Sequence, residues 1–147
     1  MAEACARPGP ARGRAAPDDA PDPPCRVCWA DLAATDAARA ADFYAALFGW
    51  QWHEERVGDG VFTRLSQAGV PIGSLYQLSD GHRRAGVPSH WTPYVQVPCV
   101  DDMADRAATL GGVVLVRPFD VPGYARIGVI LDPVGAQLGL WEHHREP

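Results

Sequence analysis

Lysine and asparagine are both absent from this chain of 147 residues, so all 13 of its basic residues are arginines. Without lysine, the chain can neither form a Schiff base with a carbonyl substrate nor supply the lysine of a phosphate-binding loop. Four cysteines are too few for a disulfide scaffold. No apolar stretch approaches the roughly 20 residues that a membrane-spanning helix needs. These absences argue against lysine-dependent chemistry, a disulfide-rich fold and a membrane-crossing helix.

The charge balance also narrows the choice of partners. Thirteen arginines against 18 acidic residues give a net charge of −5, which suits neither nucleic acid nor an anionic membrane surface, and we expect neither as a partner. With 47% hydrophobic and 21% charged residues, the composition is that of a folded protein, and the length suits one domain.

Residues 1–24 differ in composition from the remainder of the chain. They are rich in Pro, Ala, Arg and Asp and contain no large apolar residue after Met1. Such a segment cannot bury enough apolar surface to offset the entropy of ordering it. We therefore predict a disordered leader over 1–24, with an interaction arm as the alternative, and a single domain over 25–147. The leader lacks the apolar core of a secretory signal, so we expect the cytoplasm.

Cys25 and Cys28 form an isolated Cys-x-x-Cys pair at the start of the domain. A zinc site needs about four ligands, and no second pair follows. A redox pair typically begins a helix, whereas this one precedes a predicted strand. We interpret the pair as structural, with a metal or redox role as the alternative.

The order of predicted elements repeats. In module one, residues 25–80, a strand is followed by a helix that begins at Thr35 or Asp36 and ends at Gly49, and then by three strands. In module two, residues 89–143, Asp101 is predicted to cap the helix and Gly111 to end it, and three strands follow. A polar linker is predicted over 79–90. The chain therefore contains two βαβββ modules.

Three stretches in this order carry a family resemblance: WADLAATDAARAADFYAALFGW, PSHWTPYVQVPCVDDMADRAATLGG and ILDPVGAQLGLWE. The sequence resembles the vicinal oxygen chelate superfamily, which includes glyoxalase I, extradiol dioxygenases and bleomycin-resistance proteins. In detail it is similar to glyoxalase-like proteins of actinobacteria. The resemblance implies an α+β fold in which the two modules form a curved, eight-stranded mixed sheet around a cleft.

Enzymes of this superfamily hold a divalent metal with one ligand from each of four strands. The resemblance maps these positions onto Trp29, Gly73, Thr92 and Gly139. Tryptophan and glycine side chains provide no ligand atom, and one threonine hydroxyl is a poor ligand by itself. A shift of one residue, for example to Ser74, does not restore the set. We therefore expect no metal and no other cofactor, and we disfavour glyoxalase and dioxygenase activity.

The same positions mark the face of each strand that lines the cleft, because side chains two residues apart share a face. The aromatic and amide side chains on this face are typical of a pocket for a flat, partly apolar molecule. An alternative is that the aromatic rings only fill the interior. The predicted ligand-binding residues are Trp29, Asp31, Leu75, Gln77, Thr92, Tyr94, Gln96, Gln137 and Trp141.

Two further segments contain polar or aromatic side chains that bear on the site. Residues 119–124 are predicted to form a long connection over the cleft, with Phe119 and Tyr124 as ligand contacts. On the second strand, alternation places His53 and Glu55 on one face, which we interpret as a solvated edge.

Asp31 is the one acidic residue on the predicted cleft face and the candidate catalytic base. It could instead pair with an arginine such as Arg126. The favoured hypothesis is a metal-free binding protein that sequesters an aromatic antibiotic or secondary metabolite, as a homodimer. The alternative is a metal-independent isomerase, cyclase or hydrolase that uses Asp31, with Thr92, Tyr94 or His90 assisting.

Overall fold

The computed structural model describes residues 25–58 and 60–143, and the predicted leader over 1–24 lies outside them. The elements in chain order are β1 (Val27–Ala34), α1 (Ala37–Phe48), β2 (Gln51–Val57), β3 (Gly60–Gln67), β4 (Val70–Gln77), α2 (Asp80–Arg84), β5 (His90–Gln96), α3 (Val100–Thr109), β6 (Val113–Val121), β7 (Ala125–Leu131) and β8 (Gln137–His143). The predicted pair of βαβββ modules is confirmed, although the predicted linker contains the short helix α2.

All eight strands belong to one curled, mixed sheet with the order β2-β3-β4-β1-β5-β8-β7-β6. The two modules meet at its centre, where β1 and β5 run antiparallel. Within module one β4 is parallel to β1, and within module two β8 is parallel to β5. The predicted α+β architecture is therefore confirmed.

The ladder registers relate the two modules by an approximate twofold axis. Asp31 lies opposite Ser74 between β1 and β4, and Tyr94 lies opposite Gly139 between β5 and β8. Since β1 and β5 pair with Trp29 opposite Tyr94, and with Asp31 opposite Thr92, the axis passes between these two pairs. Asp31 is thus equivalent to Tyr94, and Ser74 to Gly139.

Helix α1 begins and ends where the sequence predicts. The Asp36 carboxylate accepts a hydrogen bond from the Arg39 N–H at 3.0 Å, and Gly49 closes the helix in the left-handed conformation with φ of 70°. Tyr44 packs on the core beneath the helix, whereas Phe43, Leu47 and Phe48 are 58%, 56% and 55% exposed. The apolar surface of α1 is therefore wider than the part of the helix that packs on the sheet.

Helix α3 differs from the prediction at both ends. Its N-cap residue is Cys99 rather than Asp101, and the Val100 N–H donates to the Glu142 carboxylate of β8 at 2.9 Å. Asp101 instead lies in the first turn and pairs with Arg126. Leu110, the C-cap residue of the helix, is 70% exposed. Among the described residues, no helix is both long enough and apolar enough to cross a membrane.

Candidate functional site

The concave face of the sheet holds an inner cavity of about 180 Å³ that is partly open to solvent. Aromatic and aliphatic side chains form most of its wall, and one carboxylate is included. Both modules contribute to the wall, so the cavity exists only because the sheet curls. Its lining residues are Trp29, Asp31, Val61, Phe62, Ser74, Leu75, Tyr76, Val121, Tyr124, Ile127 and Trp141.

Two stacked tryptophans form the base of the cavity. The Trp29 and Trp141 rings lie 5.1 Å apart between centroids at 27°, and the Tyr94 ring packs edge-on to Trp141 at 6.1 Å. All three side chains are buried, so they form part of the core as well as part of the wall. Tyr94 fits here because Gly139 opposite has no side chain: a Cβ on Gly139 would overlap the tyrosine ring.

Asp31 is held on this wall by neutral hydrogen-bond donors. Its Oδ1 accepts from Trp29 Nε1 at 2.8 Å and from the Ser74 hydroxyl, and the Tyr94 hydroxyl also bonds to the carboxylate. Burial raises the pKa of Asp31, and the three hydrogen bonds offset this in part. Burial, followed by the charge of Asp31, also raises the pKa of Tyr76. The cavity thus contains an acid whose ionised form is disfavoured.

This arrangement predicts that Asp31→Asn stabilises the protein in a pH-dependent way. An aspartate in the unfolded chain titrates at about pH 4, whereas the folded protein retains the Asp31 proton to higher pH. Wild-type stability should therefore fall as pH rises between these two pKa values. The variant carries no charge and should melt at a higher temperature than wild type at neutral pH. Melting curves from pH 3 to pH 8 would contradict this if the difference did not grow with pH.

Contacts between the two ends of the curled sheet bridge one side of the cavity. Tyr124, in the turn before β7, donates a hydrogen bond to Glu55 on β2, and its ring packs edge-on to Phe62 on β3 at 5.2 Å. Arg64 also holds Glu55 through an ion pair of 2.7 Å. Glu55, interpreted from the sequence as a solvated edge residue, is therefore part of this bridge.

An outer pocket of about 480 Å³ adjoins the inner cavity. The lining of this outer pocket includes Arg26, Cys28, Pro71 and His143. Trp29, Tyr124 and Trp141 line both spaces and so separate them. Of these three side chains, Tyr124 is the least buried. Rotation of Tyr124 away from Glu55 would join the two spaces.

The structure brings together some of the predicted site residues and separates others. Trp29, Asp31, Tyr124 and Trp141 line the cavity. Thr92 and Gln137 share the concave face but bond to each other, with Gln137 Nε2 donating to Thr92 Oγ1 at 2.6 Å, and are absent from the cavity wall. His90 lies beside them, with 3.5 Å between its Nε2 and the Gln137 amide nitrogen. Gln96 also lies off the cavity wall, and its Oε1 is buried without a described partner.

The predicted face of β4 is wrong by one residue. Leu75 borders the cavity, but its side chain packs with Leu32 and Ala34 in the cluster beneath α1. The side-chain Oε1 of Gln77 accepts from the Ala37 N–H at 2.8 Å, which places the Gln77 side chain at the start of α1. Ser74 and Tyr76 occupy the concave face instead. The register shows why, since Ser74 rather than Gly73 lies opposite Asp31.

The predicted long connection over the cleft is mostly strand. Strand β6 continues to Val121, and a tight turn leads into β7. Phe119 lies within β6 opposite Ile127, is 46% exposed and does not line the cavity. Arg126 does not pair with Asp31; it pairs with Asp101 at 2.6 Å and Asp120 at 3.2 Å. Cys25 and Cys28 form no disulfide within the described residues, and the Cys28 thiol donates to the Tyr94 carbonyl.

Several cavity residues were missed at the sequence level: Phe62, Ser74, Tyr76 and Ile127. Apart from Phe119 and Tyr124, the predicted ligand-binding residues lie on the four strands that carry metal ligands in the superfamily. Phe62 and Ile127 lie on β3 and β7, which curl over the cleft from its two sides. The alternation of side chains in VFTRLSQ and ARIGVIL is the signal that could have placed one face of each strand on the cleft.

The positions equivalent to the superfamily's metal ligands do not fit a metal ion. By register they are Trp29, Ser74, Thr92 and Gly139. The Trp29 indole is only a donor, the two hydroxyls are already bonded, and the Tyr94 ring occupies the space beside Gly139. Within the part of the chain that the structure describes, no three His, Cys, Asp or Glu residues could hold a metal together.

Comparison with known proteins identifies the family. A family profile described as the Glyoxalase/Bleomycin resistance protein/Dioxygenase superfamily matches residues 26–140, and the chain belongs to this superfamily. The predicted resemblance is thereby confirmed.

Two relatives come from actinobacteria. The chain is 34% identical over 119 residues to a Mycobacterium tuberculosis protein named "Putative glyoxylase CFP32", covering 80% of this chain and 45% of that protein. It is also 34% identical over 129 residues to the "Anthracycline biosynthesis protein DnrV" of Streptomyces peucetius, covering 80% and 47%. The chain thus spans about half the length of these relatives.

Solved structures agree with the fold. Methylmalonyl-CoA epimerase from Mycobacterium tuberculosis superposes with a TM-score of 0.57 at 19% identity, covering 81% of this chain and 88% of the epimerase. The hypothetical protein BH1468 of Bacillus halodurans superposes with a TM-score of 0.59 at 11% identity, covering 84% and 97%. At these identities, the likeness concerns the fold alone.

Proposed function

We propose that this chain is a metal-independent binding protein that holds a flat, partly apolar small molecule in its cleft and so sequesters an antibiotic or a secondary metabolite. The carrying observation is the cavity itself, in which the stacked Trp29 and Trp141 rings lie beside the Asp31 carboxylate. Stacked aromatic walls bind planar molecules of many kinds, and a single polar group is enough to orient them.

The dimensions of the cleft suit this role if Tyr124 rotates away from Glu55. Ligand pockets measure about 300–1,000 Å³, so the inner cavity of about 180 Å³ accepts only a small ring system in its closed form. Rotation of Tyr124 would add the outer pocket of about 480 Å³. The name of the Streptomyces relative, an anthracycline biosynthesis protein, supports a polycyclic aromatic ligand.

The proposal can be tested by titrating the protein with a dihydroxyanthraquinone and with an anthracycline while recording tryptophan fluorescence. Saturable quenching is expected in protein dialysed against a chelator, and added zinc or nickel should change neither the affinity nor the melting temperature. Trp141→Phe should weaken binding, whereas Trp50→Phe, beside α1, should not. Binding that requires a metal, or that ignores Trp141, would contradict the proposal.

A second candidate is a metal-independent enzyme in which Asp31 acts as a base. The raised pKa of this carboxylate favours it, because a general base works best near the operating pH. Turnover of a bound ligand that Asp31→Asn abolishes, with affinity retained, would establish this candidate over sequestration.

We propose further that a second copy of the chain covers the exposed apolar face of α1, formed by Phe43, Leu47 and Phe48. Exposed apolar side chains that lie together are typical of a protein–protein contact, and a twofold dimer buries the same face on both copies.

Sedimentation should therefore give a dimer that Phe48→Glu converts to a monomer. Ala46→Glu introduces the same charge at another exposed position of α1 and should leave the dimer intact. A monomeric wild type would refute this arrangement.

A further inference from the structure

The carboxylate in the inner cavity has no cationic partner among the described residues. The groups that bond to Asp31 are an indole N–H and two hydroxyls, all of them neutral. Arg64, on the same face of the sheet as Asp31, pairs with Glu55, and Arg126, on the opposite face beside α3, pairs with Asp101 and Asp120. A largely buried anion without a counter-charge destabilises the protein, and a bound cation would offset this loss.

The surroundings of Asp31 suit a cation of a particular kind. Five aromatic residues line the same cavity, namely Trp29, Phe62, Tyr76, Tyr124 and Trp141. The faces of aromatic rings are electronegative and attract ammonium groups, more strongly where water is excluded. A carboxylate within a set of aromatic walls is therefore suited to an amine or a substituted ammonium group.

A small hydrated metal ion fits this cavity poorly. Apart from Asp31, the side-chain oxygens on its wall are the hydroxyls of Ser74, Tyr76 and Tyr124, and hard metal ions prefer several oxygen ligands that include carboxylates. Ser74 and Tyr124 already donate to Asp31 and Glu55. An organic cation, by contrast, needs one counter-charge and apolar contact over the rest of its surface, which this wall provides.

We propose that the ligand of this cleft carries a protonated amine, which pairs with Asp31 inside the aromatic cavity while the flat part of the ligand contacts the tryptophans. This inference rests on the proposed function and adds the charge of the ligand to it. It predicts selection by charge among molecules of equal shape.

Three probes with one ring system separate charge from shape: naphthylmethylammonium, naphthylmethanol and naphthoate. Isothermal titration of the wild-type chain at pH 7 should rank the ammonium at least about tenfold above the alcohol, with the acid weakest. Asp31→Asn should reduce the advantage of the ammonium over the alcohol to less than about threefold. Glu54→Gln removes one negative charge from an exposed side chain and should preserve the ranking.

Salt concentration distinguishes the cavity from general attraction to an acidic protein. The net charge of −5 attracts any cation, but salt screens that attraction. The preference for the ammonium should survive 0.5 M sodium chloride if Asp31 holds it within the cavity. A preference that disappears in salt would overturn the inference.

The remaining outcomes separate the inference from the function on which it rests. Equal binding of ammonium and alcohol by the wild-type chain would overturn the charge selection and leave a planar-ligand protein. Binding of none of the three probes would count against both. Because this comparison uses the wild-type chain, it decides the inference even if Asp31→Asn fails to fold.

Discussion

Gly73→Ala should lower the free energy of unfolding by about 3 kcal/mol, because β1 and β4 leave no room for a side chain at this position. A Cβ on Gly73 would overlap the backbone carbonyl oxygen of Ala30, its ladder partner, and would lie 3.4 Å from Leu65 Cδ2. Leu65 is fully buried and the carbonyl belongs to the central ladder, so neither can yield without disturbing the sheet.

Denaturant unfolding followed by circular dichroism measures this loss directly. Gly81→Ala is the matched control, because the nearest atom to its added Cβ is Ser79 Oγ at 3.7 Å, an ordinary contact. The control should stay within about 0.5 kcal/mol of the wild type. Equal stability of the two variants would mean that β1 and β4 do not approach as described.

Trp141→Ala is expected to cost about 3–5 kcal/mol of stability and to abolish ligand binding. The side chain is 8% exposed, stacks on Trp29 and contacts the Tyr94 ring. Truncation removes these contacts and enlarges the cavity at its base, and the central strands around it cannot collapse to fill the space.

The indole nitrogen of Trp141 donates to His143 Nδ1 at 3.3 Å, so His143→Ala serves as the control. It removes the hydrogen bond but keeps the stacked ring, and should cost no more than about 1 kcal/mol. Thermal and denaturant unfolding of both variants would decide whether packing or the hydrogen bond dominates. Comparable losses would contradict the packing account.

The fold could be predicted from the sequence because its signals are local and repeated. Asp36 caps the start of the first helix and Gly49 closes its end, each through its own local preference, and the second module repeats the order of elements. The cap of α3 could not be predicted in this way. The Val100 N–H donates its hydrogen bond to Glu142, which is remote in sequence, and Asp101 pairs with Arg126.

The site could be predicted only where one strand gave an unambiguous face. Alternation placed Trp29, Asp31 and Trp141 correctly on the concave side. On β4 the same reasoning began at Gly73, and since side chains alternate with a period of two, an error of one residue reversed the face of Leu75 and Gln77. The bond between Tyr124 and Glu55 depends on the curl of the whole sheet, which no local pattern encodes.

The approximate twofold axis through the sheet gives the cleft a direction. Asp31 and its equivalent Tyr94 differ in charge, and Ser74 and its equivalent Gly139 differ in polarity, so two related backbones present unlike surfaces. A molecule with one polar end would meet the Asp31 carboxylate only with that end towards module one. The two orientations of such a molecule in the cleft are therefore unequal, although the scaffold that builds the cleft is nearly symmetric.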